Sequence, residues 1–139
     1  MESFISYNED DTKKFASNFA KNLHKGDIIV LSGELGSGKT KFTEGVLTYF
    51  GLENEISSPT FTIVNEYKNS NTTIYHFDVY RLEDSDEFYA IGGEDYFNNG
   101  ICIIEWGELI DDILPKPYTK IVFQKLDDDI RKLSIEKIS

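Results

Sequence analysis

Hydrophobic and polar positions along this chain fall into short alternating runs and a few continuous apolar runs, separated by stretches with helical spacing. Phe4 to Tyr7 alternates and predicts a short first strand. Asn8 or Asp10 is placed to cap a following helix that carries Phe15, Phe19, Ala20 and Leu23 on or near its inner face. Gly26 stands where a helix stop is expected. The continuous run Ile28-Ile29-Val30-Leu31 predicts a strand covered on both faces. A glycine-rich segment comes next, then a helix over residues 39–50 ended by Gly51.

Residues 60–67 are rich in β-branched and aromatic side chains and predict a strand. Lys68-Asn69-Ser70-Asn71 is a turn signal, and residues 72–77 resume the strand pattern, so a hairpin is expected. Residues 83–91 predict a helix closed by Gly92-Gly93. Ile101 to Ile104 predicts another buried strand, ending at Glu105-Trp106. Residues 108–114 have the makings of a short helix halted by Pro115 and Pro117, and strands over 119–124 and 131–138 finish the chain as a hairpin around Leu126 to Asp129. The alternation of strands and helices predicts an α/β fold, one domain over residues 1–139.

Gly33-Glu34-Leu35-Gly36-Ser37-Gly38-Lys39-Thr40 satisfies the pattern G-x-x-x-x-G-K-[ST] without a mismatch, between a predicted strand and a predicted helix. In such a P-loop the glycines let the backbone curl until successive N–H groups point at phosphate oxygens, and the helix adds the positive end of its dipole. Lys39 then reaches the β- and γ-phosphates, and the Thr40 hydroxyl ligates Mg²⁺. The bland alternative, a glycine-rich turn, does not require both flanking elements.

A second acid is needed at the end of a neighbouring strand to hold the metal, directly or through water. Asp78 and Glu105 are the candidates, and the fully apolar run before Glu105 favours it as the Walker-B-type acid, leaving Asp78 to position water or support the metal shell. Either carboxylate has the alternative of capping a helix or pairing with Arg81. Thr60, in Ser57-Ser58-Pro59-Thr60, is either a γ-phosphate-sensing hydroxyl or ordinary turn chemistry. Trp106 covers the nucleotide, forms a partner surface or fills the core. His76 is favoured as a structural hydrogen-bonding residue, His24 as a helix-dipole partner, Cys102 as a buried small hydrophobe, and Asp127-Asp128-Asp129 as a solvated turn. Neither an N-K-x-D nor a D-x-x-G segment is present, which argues against guanine, and Thr12 with its neighbours is placed to approach an adenine.

Charge changes the picture more than size does. With 14 Lys and Arg against 25 Asp and Glu in 139 residues, the formal net charge is -11. Most of the surface therefore repels phosphate polymers, and any nucleic acid is expected to be held by a more basic partner. Arg81 and Arg131 are the only arginines, so internal arginine fingers are few. The single cysteine excludes an internal disulfide, no apolar run is long enough to span a bilayer, and the N-terminus lacks signal-peptide character. The expectation is a soluble cytoplasmic protein.

Taken together, the blocks Leu-Ser-Gly-Glu-Leu-Gly-Ser-Gly-Lys-Thr at 31–40, Ser-Pro-Thr-Phe-Thr-Ile-Val-Asn-Glu-Tyr at 58–67, His-Phe-Asp-Val-Tyr-Arg-Leu at 76–82 and Ile-Ile-Glu-Trp at 103–106 resemble the TsaE family, the small ATPases of bacterial threonylcarbamoyladenosine biosynthesis on tRNA. The P-loop alone does not identify the family, whereas the ensemble, in this order and spacing, does so far better. The resemblance implies a P-loop NTPase-like α/β fold with a mixed central sheet flanked by helices, and action beside the subunits TsaD and TsaB, which carry out the transfer and contact the tRNA. It assigns Lys39 and Thr40 to phosphate and Mg²⁺, Glu105 to the Walker-B role, Thr60 and Asp78 to switch-like roles, and Trp106 to the nucleotide or a partner. Glu34, where Asp is frequent, and Gly107, where Pro or Ala is common, depart from the pattern without removing a group needed for phosphate chemistry.

The expected activity is Mg-dependent ATP hydrolysis that supports repeated turnover by the TsaD–TsaB pair. A small-molecule kinase is a rival, but it would need an acceptor pocket and a basic lid. A binding module ordered by ATP, with hydrolysis incidental, is a rival of another class.

Overall fold

The computed structural model describes residues 2–33, 38–52, 64–78, 85–90, 92–105 and 112–139, with Asp78, Ser85, Glu87 and Glu94 described by their backbone alone. A seven-stranded sheet runs through these residues in the order β1-β7-β6-β2-β5-β4-β3. The strands are β1 (Glu2–Ser6), β2 (Ile28–Gly33), β3 (Val64–Lys68), β4 (Thr73–Asp78), β5 (Ile101–Glu105), β6 (Tyr118–Lys125) and β7 (Arg131–Ile138). Its centre is parallel: β2 pairs with both β5 and β6, and β5 with β4. The flanks are antiparallel, β3 on β4 at one edge and β6-β7-β1 at the other. This is the mixed α/β sheet that the motifs and the resemblance lead one to expect.

The central strands are apolar on both faces because both faces are covered. Ile28, Ile29, Val30 and Leu31 on β2 and Ile101 to Ile104 on β5 are all buried. Alternation divides them between two cores. Ile29, Leu31 and Ile103 meet Ala16, Ala20, Phe42, Val46 and Leu47 of α1 (Glu9–Ala20) and α2 (Lys39–Tyr49). Ile28, Val30, Cys102 and Ile104 meet Phe77, Phe88 and Phe97 on the other face, where α3 (Ser85–Ala90) and a 3₁₀ turn at Gly93–Tyr96 lie. Helices α1 and α2 approach so closely that a Cβ on Gly45 would lie 2.4 Å from the carbonyl oxygen of Lys13 and 2.7 Å from Ala16 Cβ.

Of the two possible caps, Asn8 caps α1: its Oδ1 accepts from the Asp11 N–H at 2.8 Å. The Tyr7 N–H donates to Asp11 Oδ2 at 3.0 Å, so this local bonding ends β1 at Ser6 and shifts the strand earlier than the alternation of residues 4–7 suggested. His24 is not a dipole partner. Helix α1 ends at Ala20, and His24 lies in the turn before β2, its N–H donating to Asp27 Oδ2 at 2.7 Å and its Nδ1 3.8 Å from the same oxygen. The expected β3-β4 hairpin forms, with Asn69 Oδ1 accepting from the Asn71 and Thr72 N–H groups. Helix α3 occupies part of the span 83–91, and the C-terminal hairpin forms as expected. The start of the strand predicted at 60–67 and most of the helix considered at 108–114 lie outside the described residues. Among the described residues, no helix is long and apolar enough to cross a membrane.

Candidate nucleotide site

In an open α/β sheet, ligands bind beyond the carboxyl ends of the parallel strands. Here β2 ends at Gly33 and β5 at Glu105, two strands that are hydrogen-bonded neighbours with Leu31 opposite Glu105. Helix α2 begins at Lys39 immediately above them. The cleft at this end, about 270 Å³, is lined by Thr12, Gly38, Lys39, Thr40 and Glu105 among others. Five sequence-predicted site residues are thus gathered around one space.

Gly38 precedes α2 with φ at +109°, a left-handed conformation that side-chain-bearing residues rarely adopt. Its carbonyl accepts the Phe42 N–H at 3.0 Å, which starts the helical ladder and directs the helix N-terminus at the cleft. Lys39 is buried, 5% exposed, yet carries a cation. Such a charge needs strong partners. Its Nζ donates to the Gly33 carbonyl at 2.8 Å and stands 3.9 Å from Glu105 Oε1. The lysine therefore reaches the end of β2 and faces the acid at the end of β5. Thr40, one residue on, is exposed in the cleft.

Glu105 Oε2 lies 2.6 Å from His76 Nε2, and the two side chains are 15% and 12% exposed. Burial pushes the Glu105 carboxyl up, but the hydrogen bond and field of His76 and the field of Lys39 outweigh that push and hold it below the usual carboxylate range. The acid at the strand end thus stays ionised near neutral pH. Asp78 pairs in register with Glu105, so the two candidate acids end adjacent parallel strands.

Thr12 is buried, with its Oγ1 2.7 Å from Ser6 Oγ, which itself donates to the Asn8 carbonyl at 2.7 Å. Because a serine hydroxyl has one hydrogen, Thr12 must be the donor in that pair. Its hydroxyl proton is thereby committed to the fold, while its methyl lies near Gly38, 4.0 Å from where a Cβ on that glycine would sit. Glu34, Leu35, Gly36, Ser37, Thr60 and Trp106, together with Arg81, lie outside the described residues.

Several residues at or beside the cleft were not assigned to it from sequence, although Arg131 is one of the two candidates for an internal arginine finger. His76, read as a structural hydrogen-bonder, makes its bond to the favoured site acid. Asn8, Glu9 and Arg131 line the cleft, and so do Asp128 and Asp129 of the acidic turn, which is exposed as expected but borders the site. Arg131 Nη1 donates to the carbonyls of Asp127 and Asp128 at 2.8 and 2.9 Å, bracing that turn. His76 opens the block at 76–82 and stands two residues before Asp78 on a strand, a place that becomes informative only once β4 is paired with β5.

Known proteins resemble this chain over most of its length. The profile of the family described as threonylcarbamoyl adenosine biosynthesis protein TsaE matches residues 6–133. The chain is 43% identical over 132 residues to the tRNA threonylcarbamoyladenosine biosynthesis protein TsaE of Rickettsia felis, covering 94% of this chain and 77% of that protein. It is 39% identical over 132 residues to the protein of the same name from Bacillus subtilis, covering 94% and 82%. The crystal structure of YdiB from Bacillus subtilis is similar across 99% of this chain and 86% of that one, with a TM-score of 0.82 and 33% identity. With a family match over most of its length, close relatives sharing that name and a common fold, the chain belongs to the TsaE family of threonylcarbamoyl adenosine biosynthesis proteins.

Proposed function

We propose that this protein binds ATP with Mg²⁺ in the cleft at the ends of β2 and β5, hydrolyses it, and through that cycle sustains repeated turnover of a TsaD–TsaB transferase in tRNA threonylcarbamoyladenosine formation. The observation that carries the reading is the buried Lys39 ammonium, held between the Gly33 carbonyl and the Glu105 carboxylate at the start of α2. A buried cation at a helix N-terminus is chemically suited to a phosphate tail.

The donor set fits Mg²⁺, which favours hard oxygen ligands and is usually bound through one or two carboxylates together with substrate phosphates. The Thr40 hydroxyl and the ionised Glu105 carboxylate, directly or through water, are the residues that would hold it, and the metal would supply charge neutralisation across the β- and γ-phosphates. Lys39 would neutralise charge developing on the transferred group, and Asp78 or Glu105 would orient the attacking water. Thr12 is assigned to the base side of the cleft, its methyl serving for contact since its hydroxyl proton is engaged by Ser6. Thr60 and Trp106 keep the switch and covering roles implied by their motifs. The net charge of -11 supports an accessory place in which partners hold the tRNA, in the compartment where tRNA is modified.

The test measures ATP binding, phosphate release and multiple-turnover tRNA modification with and without TsaD and TsaB, for wild type, Lys39→Ala and Glu105→Gln. Wild type should release phosphate faster with its partners, and Glu105→Gln should bind ATP without cleaving it and stop modification after few turnovers. If Glu105→Gln supported full multiple turnover, ATP would act by occupancy and the hydrolase reading would be lost.

A further inference from the structure

His76 stands in the middle of β4, a strand paired on one side with β3 and on the other with β5. In register it lies opposite Ile103, two residues before Glu105. Histidine and glutamate are therefore diagonal neighbours on a parallel pair, a spacing that long side chains bridge. They do so at 2.6 Å, at the short limit of charge-assisted N–H···O bonds. An ionised carboxylate only accepts, so Nε2 must carry the hydrogen.

The two oxygens of Glu105 consequently have different partners. Oε2 is taken by His76 on a strand interior, and Oε1 faces Lys39 at 3.9 Å. A histidine on a twice-paired strand is a stiffer anchor than the flexible lysine chain. Neither member of the pair is well exposed, so water competes poorly for the bond.

We infer that His76 is a positioning residue: by holding Oε2 of Glu105 from β4, it fixes the carboxylate in the orientation that presents its remaining acceptor capacity to a nucleotide-bound divalent cation. This rests on the reading of Glu105 as the metal-side acid. The histidine is not among the residues lining the cleft, so its effect passes through Glu105.

The experiment titrates Mg²⁺ into protein with a fluorescent ATP analogue, reading binding rather than turnover, for wild type, His76→Leu, His76→Gln, Glu105→Gln and the double variant His76→Leu/Glu105→Gln. Partners of metal-ligating groups typically tune metal affinity about 10–100-fold, and His76→Leu should raise the half-saturating Mg²⁺ by that much. His76→Gln, whose amide nitrogen can take the place of Nε2, should stay near wild type. In the Glu105→Gln background His76→Leu should add nothing, because its route is already cut. An equal penalty in both backgrounds, or equal damage from leucine and glutamine, would overturn the inference and leave a packing role.

Wild-type protein alone gives a check that no variant's folding can confound. Long-range ¹⁵N–¹H spectra should show a protonated Nε2 on His76, and an unprotonated Nε2 would overturn the inference. Loss of Mg²⁺-dependent nucleotide binding in wild type itself would instead sink the proposed function, and the positioning role with it.

Discussion

The cleft has two walls built from charged residues in opposite ways. The inner wall is Lys39 and Glu105, with His76 behind the acid; all three are largely withdrawn from water and joined by contacts of 3.9 and 2.6 Å. The outer wall includes Glu9, Asp128, Asp129 and Arg131, in which the acids are exposed and the guanidinium Nη1 donates to turn carbonyls. A buried charge is costly unless its partners are fixed, so the inner residues are held in one arrangement before any ligand arrives. Exposed charges are screened within about 10 Å at 0.1 M salt and hold little orientation of their own. Burial with a fixed partner, and not proximity to the cleft alone, is what sets the inner charges apart from the outer ones.

Strand β5 makes the same point within one element. Burial alone acts on Cys102 and pushes its thiol up to about 12, whereas at Glu105 the neighbours reverse the push of burial. Burial shifts each group towards its neutral form, and only the cleft end of the strand has partners that restore a charge.

Removing the inner cation should have the largest effect. Lys39→Ala should lower the rate of phosphate release by about 10²–10³-fold, the usual loss when one preorganised electrostatic group is deleted. Single-turnover assays with saturating ATP and partners would show it, and a loss no larger than for an outer-wall variant would erase the distinction between the walls.

The inner wall also depends on how α2 is seated. Gly45→Ala should destabilise the fold by about 1–3 kcal/mol through overpacking, because the new methyl meets the Lys13 carbonyl and Ala16. That sign opposes the gain of about 1 kcal/mol that alanine brings to an exposed helix position. Urea denaturation of both proteins decides between the two.

Cys102 predicts an alkaline limb. Its folded thiol ionises near 12, above its ordinary value of 9.0, so its stabilising contribution is intact below pH 9 and declines as pH rises towards 12. The slope due to this group is about 1.4 kcal/mol per pH unit. Denaturation at pH 8.5, about 9.5 and about 10.5 should show that Cys102→Ala loses this part of the decline.

The smallest effect belongs to the outer wall. Asp128→Asn with Asp129→Asn should change stability by no more than about 0.5 kcal/mol, since Arg131 is held by backbone carbonyls that the substitution leaves in place. ATP affinity at physiological salt should be close to unchanged. A substantial gain in affinity would show that the acidic turn opposes the incoming phosphates and belongs with the inner wall.

Much of the fold was legible because its signals are local. The apolar runs at 28–31 and 101–104 reported strands covered on both faces, and both proved central and parallel. The place of Gly38, Lys39 and Thr40 at the start of α2 was legible as well, since these residues are contiguous in sequence. The bounds of β1 were misread because alternation ignores competing side-chain bonds, here those of Asn8 and Asp11. The helix-end role for His24 failed for the same kind of reason, a nearby Asp27 that captures it.

By itself, the sequence determined the strand–loop–helix unit, the burial of the central strands, the family motifs and the two candidate acids, because periodicity and contiguous chemistry need no knowledge of what lies across the sheet. Tertiary structure alone decided that His76 binds Glu105, that Lys39 spans from Gly33 towards that acid, and that the acidic turn and Arg131 border the same cleft. The longer-range of these relations depend on strand order and register, which bring together residues such as His76 and Glu105, 29 positions apart, and Lys39 and Glu105, 66 apart. Such pairings arise when the whole sheet forms, and no local propensity encodes them.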